Sequence, residues 1–232
     1  HCHFGAKEFT VEAGRPDTID EDIVAVMQKH GVTRVSVNPQ TFNDKTLEII
    51  GRRHKSAQTY NAYMLVKDKF DVNMDLIACL PDETFEDFKR SVDIAVALDP
   101  ENITVHTLYM KKGSALKQGG YDNTDFETAS QMVDYAYSKL TESGYEPYYM
   151  YRQKYTSGNL ENVGYAKPNK ACIYNVDIME EDTSIIANGA NAISKKWNKK
   201  QNLITRCANY KEPLEYVKHI DEMLKRQHDF WL

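Results

Sequence analysis

The stretch Asn73-Met-Asp-Leu-Ile-Ala-Cys-Leu-Pro-Asp-Glu-Thr-Phe-Glu-Asp-Phe88 constrains the fold of this chain more than any other. An apolar run carries one carboxylate, Asp75, and stops at Leu80-Pro81, because proline cannot extend a ladder and pushes its predecessor out of the helical region. Thr84 then stands where a helix N-cap belongs, with Asp87 following as a shortened capping box. Strand, short loop and capped helix make a βα unit. Inside such a strand an unsatisfied polar group costs roughly 2–7 kcal/mol, and a charge more. Asp75 therefore has a partner or marks a site.

The same rhythm runs through the first 150 residues. Residues 8–13 read as a strand, since Phe9, Val11 and Ala13 alternate with polar neighbours. Gly14-Arg-Pro-Asp17 turns the chain, Thr18 or Asp20 caps a helix through Gln28, and Gly31 ends it. Residues 33–38 are the second strand; Asn43 caps a short helix to about Ile50, and Ser56 another to about Lys69. The opening stretch gives the third strand and a helix to about Leu98, ended by Asp99-Pro100. Residues 102–109 are a fourth strand, 126–143 a helix closed by Gly144, and 145–151 a fifth strand. This alternation predicts a parallel sheet with helices outside.

After Arg152 the pattern changes. Residues 153–171 read as an irregular loop, 172–179, 184–194 and 203–208 as short strands, and 213–227 as an amphipathic closing helix. The expected division is 1–152 and 153–232, with a separate second domain compatible but not required.

Composition excludes some classes. A chain of 232 residues, 41% hydrophobic, makes one large domain or a domain with an appendage. A net charge of −5 without a basic block argues against nucleic acid. No apolar run approaches the roughly 18–20 residues of a membrane span and no signal peptide opens the chain, so the expected location is cytoplasmic. Cys2, Cys79, Cys172 and Cys207 lie far apart, and no metal site or catalytic thiol is read from them. His1-Cys2-His3 is a ligand pair on paper only.

In parallel α/β folds ligands bind at the carboxyl ends of the strands. Glu12, Asn38, Gln40, Asp75, His106, Thr107, Tyr149, Tyr151 and Arg152 fall there. Taken singly, Glu12 is the outward residue of an alternating strand, Gln40 and Asn43 organise a turn, Arg52 and Arg53 are solvated, and His106 is a satisfied core histidine. Asp75 resists such a reading. Chemically, Asp75 and Gln40 suit ribose hydroxyls, Arg52 a two-pronged contact with a carboxylate, and Glu12 an ammonium. The set matches an amino acid joined to adenosine.

Arg34-Val-Ser-Val-Asn-Pro-Gln-Thr-Phe-Asn43, Gly51-Arg-Arg-His54 and Met74-Asp-Leu-Ile-Ala-Cys-Leu-Pro81 with Thr84 resemble the radical S-adenosylmethionine enzymes of the oxygen-independent coproporphyrinogen III oxidase group. Glu8-Phe-Thr-Val-Glu-Ala-Gly-Arg-Pro-Asp17 and Glu161-Asn-Val-Gly-Tyr-Ala-Lys-Pro168 bring the resemblance nearest to the HemZ-type dehydrogenase branch. It implies an α/β fold, a partial (β/α)6 barrel holding units three to six, with a C-terminal α+β appendage. It also implies S-adenosylmethionine held by Glu12 at the methionine part, by Gln40 and Asp75 at the ribose, and by Arg52 at the carboxylate. A tetrapyrrole would be the substrate, its propionates oxidatively decarboxylated to vinyls in haem biosynthesis.

The chain departs from the family pattern in three respects. The CxxxCxxC loop that holds the family's [4Fe–4S] cluster is absent, so no metal ligands or catalytic residues are assigned here. An inactive part of such an enzyme, completed by an N-terminal segment or a complementing chain, is the expectation. Cys79 replaces the usual glycine before Leu-Pro, and Ala187-Asn-Gly-Ala-Asn-Ala192 lacks glycines of a Gly-rich run. Tyr174 stands where the haem chaperone branch has histidine, which weakens the alternatives of a haem- or tetrapyrrole-binding protein without turnover. An inert remnant is the third reading.

Overall fold

The computed structural model describes residues 5–109, 120–121, 125–152 and 160–232, in two compact units that part between Cys172 and Ile173. In the first unit the expected rhythm holds: β1 (Thr10–Val11), α1 (Glu21–Lys29), β2 (Arg34–Ser36), α2 (Asp44–Ile49), α3 (Ser56–Val66), β3 (Asp71–Ala78), α4 (Phe85–Leu98), β4 (Asn102–Thr107), α5 (Phe126–Glu142) and β5 (Glu146–Tyr151). Each helix starts at a local signal. The Asp20 carboxylate, not Thr18, accepts from Ile23 N at 2.8 Å; Thr18 instead lies in a single 3-10 turn. Asn43 caps α2. Ser56 is the first residue of α3, not its cap, and Gln58 Oε1 accepts from Lys55 N. At α4 the Thr84 hydroxyl and the Asp87 carboxylate close a reciprocal capping box, and Asp99 ends the helix in the left-handed region.

β1 to β4 pair in parallel in chain order. The sheet then departs from expectation, because residues 153–171 are not simply a loop. Asn162–Ala166 forms β6, inserted antiparallel between β4 and β5, so the sheet order is β1-β2-β3-β4-β6-β5. Gly164 makes this insertion feasible. The Tyr149 ring lies over it, and a Cβ there would run into the ring. The break between the two units accordingly falls after β6, not at residue 152.

Period-two alternation divides the sheet into two faces. Val35, Val37, Val72, Met74, Leu76, Ala78, Ile103, Val105 and Tyr165 are buried against α1, α3, α4 and α5. The opposite face carries Glu12, Ser36, Asn73, Asp75, Thr104 and His106. A parallel sheet with helices on one face and polar side chains on the other is a barrel wall seen from within. At the base of that face Arg34, 3% exposed, meets Glu8, Asp71, the Asn102 amide and the Lys170 carbonyl.

The second unit opens with a correction. Residues 172–179, read as a strand, form the helix α6 (Ile173–Glu180). Tyr174, Val176 and Ile178 alternate as in a strand, whereas Ile173, Val176 and Met179 recur at helical spacing, and a run this short does not decide between them. Within 184–194 only Ile185 bridges to Lys195; the strand proper is β7 (Ile193–Asn198), paired antiparallel with β8 (Leu203–Ala208). The closing helix is two, α7 (Pro213–Lys218) and α8 (Ile220–Trp231), parted at His219. No helix among the described residues is long and apolar enough to cross a membrane.

Candidate functional site

The polar face is organised around Asp75. Its side chain is 21% exposed, less buried than a strand interior suggests, and it is well partnered. Asn73 Nδ2 donates to Oδ1 at 2.8 Å, and His106 Nε2 lies 3.7 Å from Oδ2. Asp75 also works through its backbone: its N–H donates to Asn38 Oδ1 and its carbonyl accepts from Gln40 N at 2.9 Å.

Gln40 joins this strand although it follows β2. It sits at φ 66°, the left-handed region, and bridges Leu76, with Ile77 N donating to its carbonyl. Two buried groups hold this loop from behind. His54 Nε2 lies 3.3 Å from the Pro39 carbonyl, and burial pushes the imidazole pKa down. The Thr41 hydroxyl donates to Glu83 Oε1 and stands 3.2 Å from Ser91 Oγ. Burial raises Glu83 to about 7, with the Thr41 and Thr46 hydroxyls pulling it back in part.

Glu12 comes into the same field. The residue is exposed, yet the atoms around its carboxyl desolvate it and raise its pKa. The Ser36 hydroxyl, buried with no well-formed hydrogen bond, partly offsets this, and the negative charge of Asp75 adds to it. Two carboxylates that feel each other across a polar face suit a cationic ligand, whose charge relieves the repulsion. Glu12 and Asp75 thus act on each other across one face, and the Gln40 backbone lies against that of Asp75. Arg52 stands in the α2–α3 connection, half-buried; its charge acts on His54, behind the Gln40 loop, and the structure gives it no contact with the other three.

Asn73, Thr104 and Glu83 were absent from the sequence-based candidates. The first two were accessible in principle, since Asn73 shares the face of Asp75 two residues on, and Thr104 that of His106. Glu83 was hidden by its place in a turn. Tyr149 Oη is 3.3 Å from Thr104 Oγ1 and Tyr151 Oη 3.2 Å from His106 Nδ1, which draws both tyrosines into the site. Burial raises both phenols above their ordinary pKa. Arg152 pairs with Glu161.

The donor set suits a nucleoside with an amino acid and a positive charge. It does not suit an iron–sulfur cluster. Cys79, Cys172 and Cys207 are buried in separate places, Cys2 lies outside the described residues, and no group of three metal-binding side chains occurs among those described.

Residues 5–95 match the Radical SAM superfamily. The chain is 43% identical over 227 residues to the oxygen-independent coproporphyrinogen-III oxidase-like protein HemZ of Bacillus subtilis, covering 94% of this chain and 45% of that protein. It is 29% identical to the heme chaperone HemW of the same organism over 61% of this chain and 38% of the relative. The fold is similar to that of coproporphyrinogen III oxidase HemN from Escherichia coli, with a TM-score of 0.71 at 19% identity over 93% of this chain and 49% of the other. The chain spans about half the length of these relatives, or less. Over residues 5–95 the chain matches the radical SAM superfamily, and along most of its length it is similar to the HemZ-type members of the coproporphyrinogen III oxidase group.

Proposed function

We propose that this chain holds S-adenosylmethionine on the polar face of its sheet, as the cofactor-binding part of an oxygen-independent coproporphyrinogen III dehydrogenase of haem biosynthesis. Gln40 and Asp75 take the ribose hydroxyls, Glu12 the ammonium of the methionine part, and Arg52 its carboxylate. The observation that carries this reading is the pairing of the Gln40 backbone with β3 at Asp75–Ile77, which brings the two proposed ribose ligands to neighbouring positions of the sheet. The repulsion between Glu12 and Asp75 supports a cationic ligand.

Bound beside a reduced [4Fe–4S] cluster, this cofactor supplies hydrogen-atom abstraction, here from propionate side chains of a tetrapyrrole. The residues of this chain bind and orient; they offer no thiolate set for the cluster, so turnover by these 232 residues alone is not expected. A polypeptide bearing CxxxCxxC would have to supply it. A second reading, a tetrapyrrole carrier without turnover, draws on the likeness to HemW. Tyr174, exposed on α6, takes the place of that branch's histidine and speaks against it.

Equilibrium dialysis against S-adenosylmethionine, run beside a haem titration followed at the Soret band, separates the two. One bound S-adenosylmethionine, lost in Asp75→Ala, supports the cofactor reading. Stoichiometric haem binding without retention of S-adenosylmethionine overturns it in favour of the carrier.

A further inference from the structure

Six side chains from β3, β4 and β5 form a directed circuit on the polar face. Thr104 Oγ1 donates to Asn73 Oδ1 at 3.3 Å, which commits its proton, so the hydroxyl accepts from Tyr149 Oη at 3.3 Å. Asn73 Nδ2 passes the direction on to Asp75 Oδ1 at 2.8 Å. On the other side, Tyr151 Oη lies 3.2 Å from His106 Nδ1, and the rings meet edge to face at 6.3 Å. With the Tyr151 hydroxyl as donor to Nδ1, a neutral His106 carries its own proton on Nε2, the atom that faces Asp75 Oδ2. Tyr149 and Tyr151 stack with planes 7° apart and close the ring. Both arms point their donors at one carboxylate.

Asp75 is thereby clamped between two strands. Asn73 fixes one oxygen by a hydrogen bond, and the other faces His106 Nε2 at 3.7 Å, beyond hydrogen-bond length, where the dipole of an Nε2–H is attracted to the carboxylate. A carboxylate bonded at one oxygen and faced by an N–H dipole at the other is biased toward one orientation of its remaining lone pairs. The charged and titratable groups facing His106 among the described residues are Asp75 and Tyr151, with Glu12 acting at second hand through Asp75.

We propose that His106 is a positioning residue: held as its Nε2–H tautomer by Tyr151, it orients Asp75 so that the carboxylate accepts the vicinal hydroxyls of the bound nucleoside. This rests on the cofactor reading above. It adds the residues that decide how well a ribose is told from a sugar lacking those hydroxyls.

The test measures binding of S-adenosylhomocysteine and of its 2′,3′-dideoxy analogue to the full 232-residue chain and its variants. His106→Ala is expected to weaken S-adenosylhomocysteine about tenfold and to leave the dideoxy form unchanged, the loss of one contact to a charged group. His106→Gln, whose amide N–H stands near the place of Nε2–H, is expected to restore most of the affinity, and His106→Asn, which is too short, is not. Equal losses for both probes, or no loss, overturn the proposal. Nitrogen NMR of the neutral imidazole reads the relay without any ligand: Nε2–H in the wild type, mixing with Nδ1–H in Tyr151→Phe. If the chain binds neither probe, the cofactor reading falls, and the spectrum alone decides: the expected tautomer pattern sustains the relay, and Nδ1–H in the wild type overturns it.

Discussion

Glu83→Gln isolates one buried carboxyl behind the Gln40 loop. Glu83 is 8% exposed, shares a hydrogen bond with Thr41, and leaves Oε2 without a partner. Burial raises its pKa from 4.5 to about 7. Folding therefore favours the protonated form, so the stability it contributes is complete below the unfolded value and is lost as pH rises through the folded one. Integrating between these two values at about 1.36 kcal/mol per pH unit predicts that the wild type loses about 2.5 kcal/mol from this group between pH 5 and pH 8. Glutamine cannot ionise and keeps an acceptor for Thr41, so the variant lacks this loss and is the more stable protein at pH 8. Both tryptophans, Trp197 and Trp231, lie in the second unit, so their fluorescence would follow the wrong half of the molecule. Urea unfolding is better followed by hydrogen exchange of the β3 and α4 amides. If wild type and variant fall in parallel from pH 5 to pH 8, the carboxyl is not desolvated as argued and the account of this loop is wrong.

Two further substitutions probe the frame of the site. Gly164→Ala places a methyl where the Tyr149 ring lies, and is expected to destabilise the first unit by about 1–3 kcal/mol and to shift the Tyr149 ring resonances; unchanged urea midpoints and spectra would refute the packing. Arg34→Ala strips the buried partner of Glu8 and Asp71 and is expected to cost about 3–5 kcal/mol, while Arg34→Met, which fills the space, is expected to cost less. Equal thermal midpoints of Arg34→Ala and wild type would show that the network is dispensable.

The βα rhythm was legible because each helix carries its own start signal and each parallel strand its own apolar run. Thr84 with Asp87, Asn43 and Asp20 are local chemistry and needed no tertiary information. β6 was not legible. It follows no helix, it is short, and its central Gly164 reads as a breaker, whereas its real cause is the Tyr149 ring lying over it from another strand. The α6 run was undecidable for a different reason, since its apolar spacing fits both periods. Within the site, Asp75 was singled out by the cost of a charge in a strand, and that reasoning led to real partners, Asn73 and His106. The turn that brings Gln40 beside it was not deducible, because it depends on a left-handed residue pairing with β3. Cys79, where a glycine was expected, does adopt φ 67°, so this chain accepts a thiol at a position whose backbone favours glycine.

The central claim is where the nucleoside lies. Hydrogen–deuterium exchange of the full chain with and without saturating S-adenosylhomocysteine tests it directly. The account predicts slowed exchange at residues 12–15, 38–42 and 75–77, with the β7–β8 hairpin unaffected. Binding that leaves those segments unchanged, or that protects only the second unit, would contradict it.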